Sequence, residues 1–472
     1  MRNLSLLTDL YELTMIYGYY KSGMADREAV FDLFFRGTEE LSYAVVAGLE
    51  QAIEYVENIH FDEEDIAYLR GLNLFDEDFL AKLAAFRFSG DIQAMPEGSI
   101  VYPYEPILTV RAPIFEAQLM ETTLLTIINH QTLIATKASK IVNSTTAGVM
   151  EFGLRRAQGP DAGLYGARAA MIAGAVGTSN VLAGQMFDVP VSGTHAHSWV
   201  MSFPSELEAF RAYAELFPSS CLLLVDTYDV LNEGVPNAIK VFDELAAKGY
   251  RPKGIRIDSG DLAYLTKEAR RMLDEAGYPD AKICASGDID EYVLQSLNAQ
   301  GACIDSYGIG TKLITSYTVP ALGGVYKLAA IEDENGVMVP KLKISATVEK
   351  ITNPGQKKVV RFFDNETGKV IADLIMLLDE PLPDGKPYTI FDPHATWKTK
   401  TVVNYHCKEM LVDIYSRGRL VYTCPTLKEI AAYHQVCLGQ MWEQYKRITK
   451  PHIYKVDLSQ KLYDLKMKLL HE

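Results

Sequence analysis

The chain has 472 residues, 48% of them hydrophobic and 23% charged, a globular balance too long for one ordinary core, so two or three packed units are expected. With 46 Lys and Arg against 61 Asp and Glu the formal charge is −15, which argues against duplex nucleic acid and anionic membrane as partners while leaving local phosphate binding open. The six cysteines (Cys221, Cys284, Cys303, Cys407, Cys424, Cys437) form no CxxC pair and read as reduced thiols, and no run is long enough to span a bilayer, so a cytoplasmic location is expected.

The opening MRNLSLLTDLYELTM carries Asp9 and Glu12 inside its apolar stretch, which suits an amphipathic helix over Leu6–Gly18 capped at Thr8 or Asp9 rather than a signal peptide. Ala29–Arg36 reads as a strand, and helical spacing returns at Val46–Ile59, Glu63–Leu72 and Glu77–Phe86. Ser89–Ala112, broken by Gly90, Pro96, Gly98, Pro103 and Pro106, reads as a small β unit, and Ile114–Ser144 as a long helical stretch leading onward. From 149 to 312 short apolar runs alternate with amphipathic ones: VMEFG, VPVSG, CLLLVD, PKGIRID, AKICAS and CIDSYGIG each precede or follow a helical pattern. That alternation predicts parallel βα units. Polar clusters fall just past each strand (Arg155, Thr178–Ser179, Thr194–His197, Asp226, Asp258–Asp261, Ser286–Asp288, Gly308–Thr311), which favours a barrel with one active rim over an open sheet. Beyond 313 a hairpin is expected with its turn at Glu334–Gly336, followed by a predominantly helical, charged tail. The predicted domains are 1–148, an N-terminal α+β domain; 149–330, an α/β barrel with the active site; and 331–472, a C-terminal β and helical extension packed on the other two.

The chemistry concentrates in six segments. YGIGT (Tyr307–Thr311) and Ser286–Gly287–Asp288 offer adjacent turns whose N–H groups can approach an anion, although loop glycines such as Gly308 and Gly310 are often only steric. RIDSGD holds Arg256, Asp258 and Asp261 within six residues, costly to bury without charged partners; Arg256 suits an anion and Asp258 a metal-bound polyphosphate or ribose. In VDTYD, Asp226 can help position Mg²⁺ through water, and a helix N-cap explains either aspartate segment taken alone equally well. GTHAHSW places His195 and His197 two apart, and a shared metal is not expected; His195 reads as packed or surface-exposed, His197 as a base or nucleophile. In FGLRR, Phe152 can stack on a flat ring and Arg155 can pair with a carboxylate or phosphate.

These segments, with LLTDLYELTM, FGLRRAQGPDAGLYGARAA, GTSNVLAGQ, VSGTHAHSW, GIRIDSGDL, YGIGTKLITS, GGVYKL and KPHIYKVDLSQKLYDLK in this order, resemble the nicotinate phosphoribosyltransferase family across essentially the whole chain. FGLRRAQGPD and GTxAHS are the specific motifs, and His195 occupies the x. The resemblance implies an irregular TIM-like α/β barrel of the type II phosphoribosyltransferase kind, with an N-terminal α+β domain, in head-to-tail homodimers whose active sites lie between subunits. It implies that Tyr11 reaches from the partner subunit to the pyridine ring opposite Phe152, that Arg155 and Arg256 line the nicotinate and phosphate pockets, and that Thr194 lies near nicotinate. It further implies that Gly310 and Thr311 hold the phosphoribosyl phosphate, that Asp226 and Asp258 surround the Mg²⁺-bound pyrophosphate and ribose, and that His197 is phosphorylated by ATP. Catalysis would then rest on His197, Asp258 and Arg256.

The implied reaction is nicotinate, 5-phosphoribosyl 1-pyrophosphate, ATP and water giving nicotinate mononucleotide, pyrophosphate, ADP and phosphate. In the sister nicotinamide enzymes an aspartate follows the Gly-Thr pair and accepts the amide NH₂; here that position is Ser179, which does not repel a carboxylate. Nicotinate is therefore the expected base. The rivals are nicotinamide phosphoribosyl transfer, an unrelated barrel enzyme on sugar phosphates, and a non-catalytic ligand-binding protein on the same fold.

Overall fold

The computed structural model describes residues 3–38, 40–347, 350–383 and 385–472. The chain divides into two compact units, one formed by Met1–Leu133 with Ala321–Glu472 and the other by Ile134–Pro320. This differs from the three-part division expected from the sequence. Both ends of the chain contribute to one seven-stranded antiparallel sheet, in which Glu28–Phe35 lies between Leu108–Pro113 and Gly324–Glu332. Every residue of that central strand but the first is buried, so it needs partners on both edges, and one comes from about three hundred positions later in the chain. Its one buried carboxylate, Asp32, is neutralised inside by Lys357 Nζ at 2.7 Å and accepts the Thr109 hydroxyl at 2.9 Å.

The expected turn at Glu334–Gly336 lies within the loop that joins antiparallel Gly324–Glu332 and Met338–Pro340. The helical tail does not hold for residues 357–420. That stretch is β, with strands Lys357–Asp364, Val370–Leu377, Tyr388–Asp392, Ala395–Val402, Tyr405–Glu409, Val412–Ser416 and Arg419–Leu420. Valine, isoleucine and phenylalanine dominate the first two, and Asp364 ties the turn between them by accepting the N–H groups of Glu366 and Thr367. Helices return only at Leu427–Gln440, Glu443–Lys446 and Gln460–His471.

The second unit carries six parallel strands: β1 (Gly148–Glu151), β2 (Gly177–Thr178), β3 (Leu222–Leu224), β4 (Gly254–Ile257), β5 (Lys282–Gly287) and β6 (Ser306–Ile309). Their order is β2-β1-β6-β5-β4-β3. Helices Pro160–Ile172, Glu206–Leu216, Val235–Ala247, Leu262–Glu275 and Glu291–Ala299 alternate with them, as the sequence pattern requires. Leu223, Ile255 and Ile283 from adjacent strands share a core with Phe210, Val241, Phe242, Ala269 and Leu273 of these helices. The strands read as apolar runs because both faces are covered.

The predicted VPVSG strand shrinks to one bridge. Thr178 pairs in parallel with Val191, its N–H donating to Pro190 O at 3.0 Å while Ser192 N–H donates to Thr178 O at 2.9 Å. Pro190 has no N–H to extend the ladder. Four residues past Val191, His195 Nε2 accepts the N–H of Leu224 on β3 at 3.2 Å, so this short segment touches both edges of the parallel sheet. His197 opens the helix His197–Met201, so the two histidines do not share a strand.

Candidate active site at the strand ends

All the polar clusters follow the C-terminal ends of β1 to β6 or the bridging segment, the end at which parallel α/β proteins build their sites. Phe152, Arg155, Arg156, Ser179, Thr194, Arg256, Asp258, the Ser286–Asp288 turn, Gly308, Gly310 and Thr311 line one cavity of about 400 Å³. Size alone does not select it. A cavity of about 420 Å³ in the other unit, among Glu57, His60, Arg87 and Tyr415, lies away from any set of parallel strand ends.

Arg256 is the hub. From β4 its Nε donates to Ser286 Oγ at 2.7 Å, its Nη2 to Asp258 Oδ1 at 2.8 Å and its Nη1 to Thr194 Oγ1 at 3.3 Å. The guanidinium carbon also stands 5.9 Å from the Phe152 ring centroid. The Ser286 hydroxyl donates in turn to Asp258 Oδ1. Burial opposes ionisation of Asp258, but Ser286 and Arg256 together outweigh it and hold the carboxyl below the usual range. The cavity therefore keeps a fixed negative charge beside its fixed positive one.

Asp226 and His197 do not line the cavity; they join it through Asp258. Asp226 Oδ2 accepts Asp258 N–H at 3.0 Å and Ser259 Oγ–H at 2.6 Å, while Oδ1 faces His197 Nε2 at 3.2 Å. Asp229 and Asp261 fall to the cap explanation: Asp229 accepts the N–H groups of Leu231 and Asn232, and Asp261 that of Tyr264.

The two glycine turns differ in purpose. Gly287 has φ +119° and a Cβ there would sit 2.6 Å from Asp258 O, so its conformation and its space both demand glycine. Gly308 is a matter of packing: a Cβ would meet the Phe152 ring at 2.4 Å. The absent side chain on β6 is what lets that ring lie across the strand, so the steric reading explains Gly308 without a phosphate. Gly310 precedes the short helix Thr311–Ile314, and a Cβ on it would sit 2.9 Å from Phe152 O.

Arg155 and Arg156 are exposed and, among the described residues, carry no ion pair, leaving both guanidinium groups available to an anion at the cavity mouth. His195 lines the same cavity but is 8% exposed and packs against Phe210 and Tyr213. Burial first, then the nearby charges of Arg256 and His197, push its pKa down to about 4 against the Ala196 carbonyl, which favours the charged ring. Of the two readings offered by the sequence, packed is the one found. Tyr11 lies on the helix Leu10–Lys21 of the other unit, exposed, and is not among the lining residues.

Sequence reasoning missed Glu151. It is fully buried at the end of β1, accepts the Thr178 hydroxyl at 2.7 Å and the Gly153 N–H, and is pushed up in pKa by burial that those bonds only partly offset. It fixes the turn that carries Phe152 and the strand end that carries Ser179, whose N–H donates to Glu151 O at 2.9 Å. The only available signal was a carboxylate between apolar residues in VMEFG.

A flat-ring platform, free arginines and glycine turns at one rim of a parallel α/β unit define an enzyme that handles a phosphorylated ligand beside an aromatic one. Family models describe the particular kind. The nicotinate phosphoribosyltransferase N-terminal domain matches residues 6–129, the nicotinate phosphoribosyltransferase family 147–358, and the C-terminal domain 356–466. The chain is 49% identical to the nicotinate phosphoribosyltransferase of Bacillus subtilis, over 100% of this chain and 96% of that one. It is 36% identical to the enzyme of the same name from Caenorhabditis elegans, over 97% and 92% respectively. The crystal structure of human nicotinic acid phosphoribosyltransferase superposes with a TM-score of 0.87 at 31% identity, covering 98% of this chain and 99% of that one. The chain belongs to the nicotinate phosphoribosyltransferase family, whose enzymes serve NAD synthesis from nicotinate.

Proposed function

We propose that this protein transfers the phosphoribosyl group of 5-phosphoribosyl 1-pyrophosphate to the ring nitrogen of nicotinate, giving nicotinate mononucleotide and pyrophosphate. The observation that carries the reading is the single cavity in which Phe152 and Ser179 stand with Arg155, Arg256 and the two glycine-bearing turns. Nicotinate lies on Phe152, its carboxylate taken by Arg155 and Arg256, near Thr194. The phosphate of the sugar lies in the turns Ser286–Gly287 and Gly310–Thr311.

The pyridine nitrogen already has a lone pair, so no side chain has to deprotonate it. The work is positional: the nitrogen is held in line with C1 of the ribose, opposite the departing pyrophosphate. Asp258, kept ionised, stabilises the positive charge that develops on the sugar. Mg²⁺ fits the residues present. Asp258 Oδ1 is taken by Arg256 and Ser286, which leaves Oδ2 to hold the ion, and Asp226, tied up in hydrogen bonds, would help only through water. Mg²⁺ usually keeps several waters and takes one or two carboxylates plus substrate phosphates. When bound, it neutralises charge on the leaving pyrophosphate.

ATP enters as co-substrate through His197. With Nε2–H donating to Asp226, the Nδ1 lone pair is the nucleophile: it attacks the terminal phosphorus, ADP leaves, and water later releases phosphate. The phosphoryl group then tightens the phosphoribosyl pyrophosphate site and drives the transfer, a ligase-type coupling. The assembly is a cytoplasmic homodimer in which Tyr11 of one subunit completes the nicotinate platform of the other. Among the described residues no helix is long and apolar enough to cross a membrane.

Nicotinamide transfer is the competing reading. Ser179 in the cavity wall, where an aspartate would serve the amide, favours the acid. Purified protein given each base with phosphoribosyl pyrophosphate and Mg²⁺ tests this. Mononucleotide from nicotinate in large excess over nicotinamide supports the reading; equal use of the two bases, or product without phosphoribosyl pyrophosphate, refutes it.

A further inference from the structure

The parallel sheet has two edges, β2 and β3, and the segment Pro190–His197 meets both. At β2 the meeting is ordinary main-chain pairing through Thr178. At β3 it is not. Val225 N–H donates to Arg256 O at 3.0 Å, towards β4, so the preceding residue, Leu224, directs its N–H away from β4, to the open edge. Leu224 is fully buried, and water cannot serve that N–H. An imidazole nitrogen serves it instead: His195 Nε2, at 3.2 Å.

The residues around His195 show what the bond is for. Thr194, one position earlier, accepts from Arg256 on β4 at 3.3 Å. His197, two positions later, meets Asp226 just past β3 at 3.2 Å. Between these two working contacts the segment has no strand pairing of its own. The His195 ring is clamped by Tyr213, 4.7 Å away and edge-on, and by Phe210 at 6.2 Å, so its orientation is set by packing. Only one tautomer fits. Nε2 must be the bare acceptor, which places the proton on Nδ1, facing Ala196 O at 3.5 Å.

We propose that His195 is a positioning residue: by accepting the Leu224 N–H it fastens Gly193–His197 across the open edge of the sheet, and so fixes Thr194 against Arg256 and His197 against Asp226. The side chain does the work of a missing strand. The inference rests on the transfer reading for its kinetic test but not for its spectroscopic one. The glutamine carboxamide places its oxygen about where a histidine carries Nε2, whereas asparagine ends near the position of Nδ1, so the two amides separate reach from polarity.

The test compares His195→Gln, His195→Asn and His195→Leu in the full-length protein, with thermal midpoints taken alongside kcat and KM for both substrates. His195→Gln is expected to stay within about threefold of the parent in kcat/KM. His195→Asn and His195→Leu are expected to lose about 10- to 100-fold, the scale of a slightly misplaced site. KM for phosphoribosyl pyrophosphate should rise in those two, a change that a smaller folded fraction does not produce. In ¹⁵N-histidine spectra at neutral pH, the signal lost in His195→Gln should show a bare Nε2 and a protonated Nδ1. Equal activity of the glutamine and asparagine variants, full activity of the leucine variant, or the opposite tautomer would each overturn the proposal. An inactive parent protein with the expected tautomer would instead remove the transfer reading and leave the bond standing.

Discussion

Asp226 divides its carboxylate between a histidine and the turn after β4: Oδ1 faces His197 Nε2 at 3.2 Å, and Oδ2 accepts the backbone N–H of Asp258 at 3.0 Å. Any change in the charge of the imidazole is therefore felt at Asp258, and through it at Arg256. The phosphorylation of His197 proposed above would have, through that relationship, a short route to the cavity.

His197→Ala should retain slow, ATP-independent formation of mononucleotide and lose ADP release linked to it. Asp226→Asn should keep the ring in place but reduce its nucleophilicity, lowering the ATP-dependent rate by about 10- to 100-fold, as outer partners of a reacting histidine commonly do. Parallel measurement of ADP and mononucleotide checks both. Full coupling in His197→Ala would remove the assignment.

Ser179→Asp places a carboxylate in the wall of the nicotinate pocket. Repulsion of the acid and a new bond to an amide should move the preference toward nicotinamide by ten- to a hundredfold, the worth of one charge-assisted bond of ~1.5–3 kcal/mol. The ratio of kcat/KM for the two bases is the readout, and an unchanged ratio would place the selecting group elsewhere.

Gly308→Ala tests the ring platform without touching the ring. Its Cβ would stand 2.4 Å from Phe152, so the aromatic must move off the strand. Loss of a stacking contact worth ~0.5–1.5 kcal/mol predicts KM for nicotinate raised about three- to tenfold, with KM for phosphoribosyl pyrophosphate less affected. The reverse pattern would make Gly308 a phosphate residue.

Acid stability carries two opposed contributions. His195 is held down to about 4 by burial, so the unfolded chain binds the extra proton below the ordinary histidine value of about 6.5. Its contribution is present above that value and is lost as pH falls towards 4. Glu12, pushed up to about 7 by burial against the hydroxyls of Thr122 and Thr8, works the other way: its contribution is present below the ordinary glutamate value and is lost as pH rises through 7. Between pH 7 and 5, His195→Gln should therefore flatten the fall in urea midpoint, and Glu12→Gln should steepen it. Denaturation curves at the two pH values decide.

What the sequence revealed was local in origin. The alternation from 149 to 312 announced the parallel unit because each βα step is short and self-contained, and the polar residues after each strand announced the rim. The long-range pairing of Glu28–Phe35 with Gly324–Glu332 left no such trace, since neither segment alone names its partner. The strands from 357 to 420 were obscured by charges spaced among the β-branched residues, as in KKVVRFFD, where Arg361 is buried on Asp373 at 2.6 Å. His195 shows where a correct reading still stops short: packed was foreseeable, its bond was not. A histidine in a polar motif looks the same whether it reacts or fills an edge; only the position of Leu224 N–H tells the two apart.

On the proposed reading, one cavity holds a flat acid and a phosphorylated sugar, and His197 couples their union to ATP. The most direct measurement is a single incubation with nicotinate, phosphoribosyl pyrophosphate, Mg²⁺ and ATP, in which nicotinate mononucleotide and ADP are assayed together over time. The mononucleotide is expected to form only when nicotinate and phosphoribosyl pyrophosphate are both present, faster with ATP, and with ADP rising alongside it. No mononucleotide under any combination, or mononucleotide whose rate ignores ATP, would contradict it.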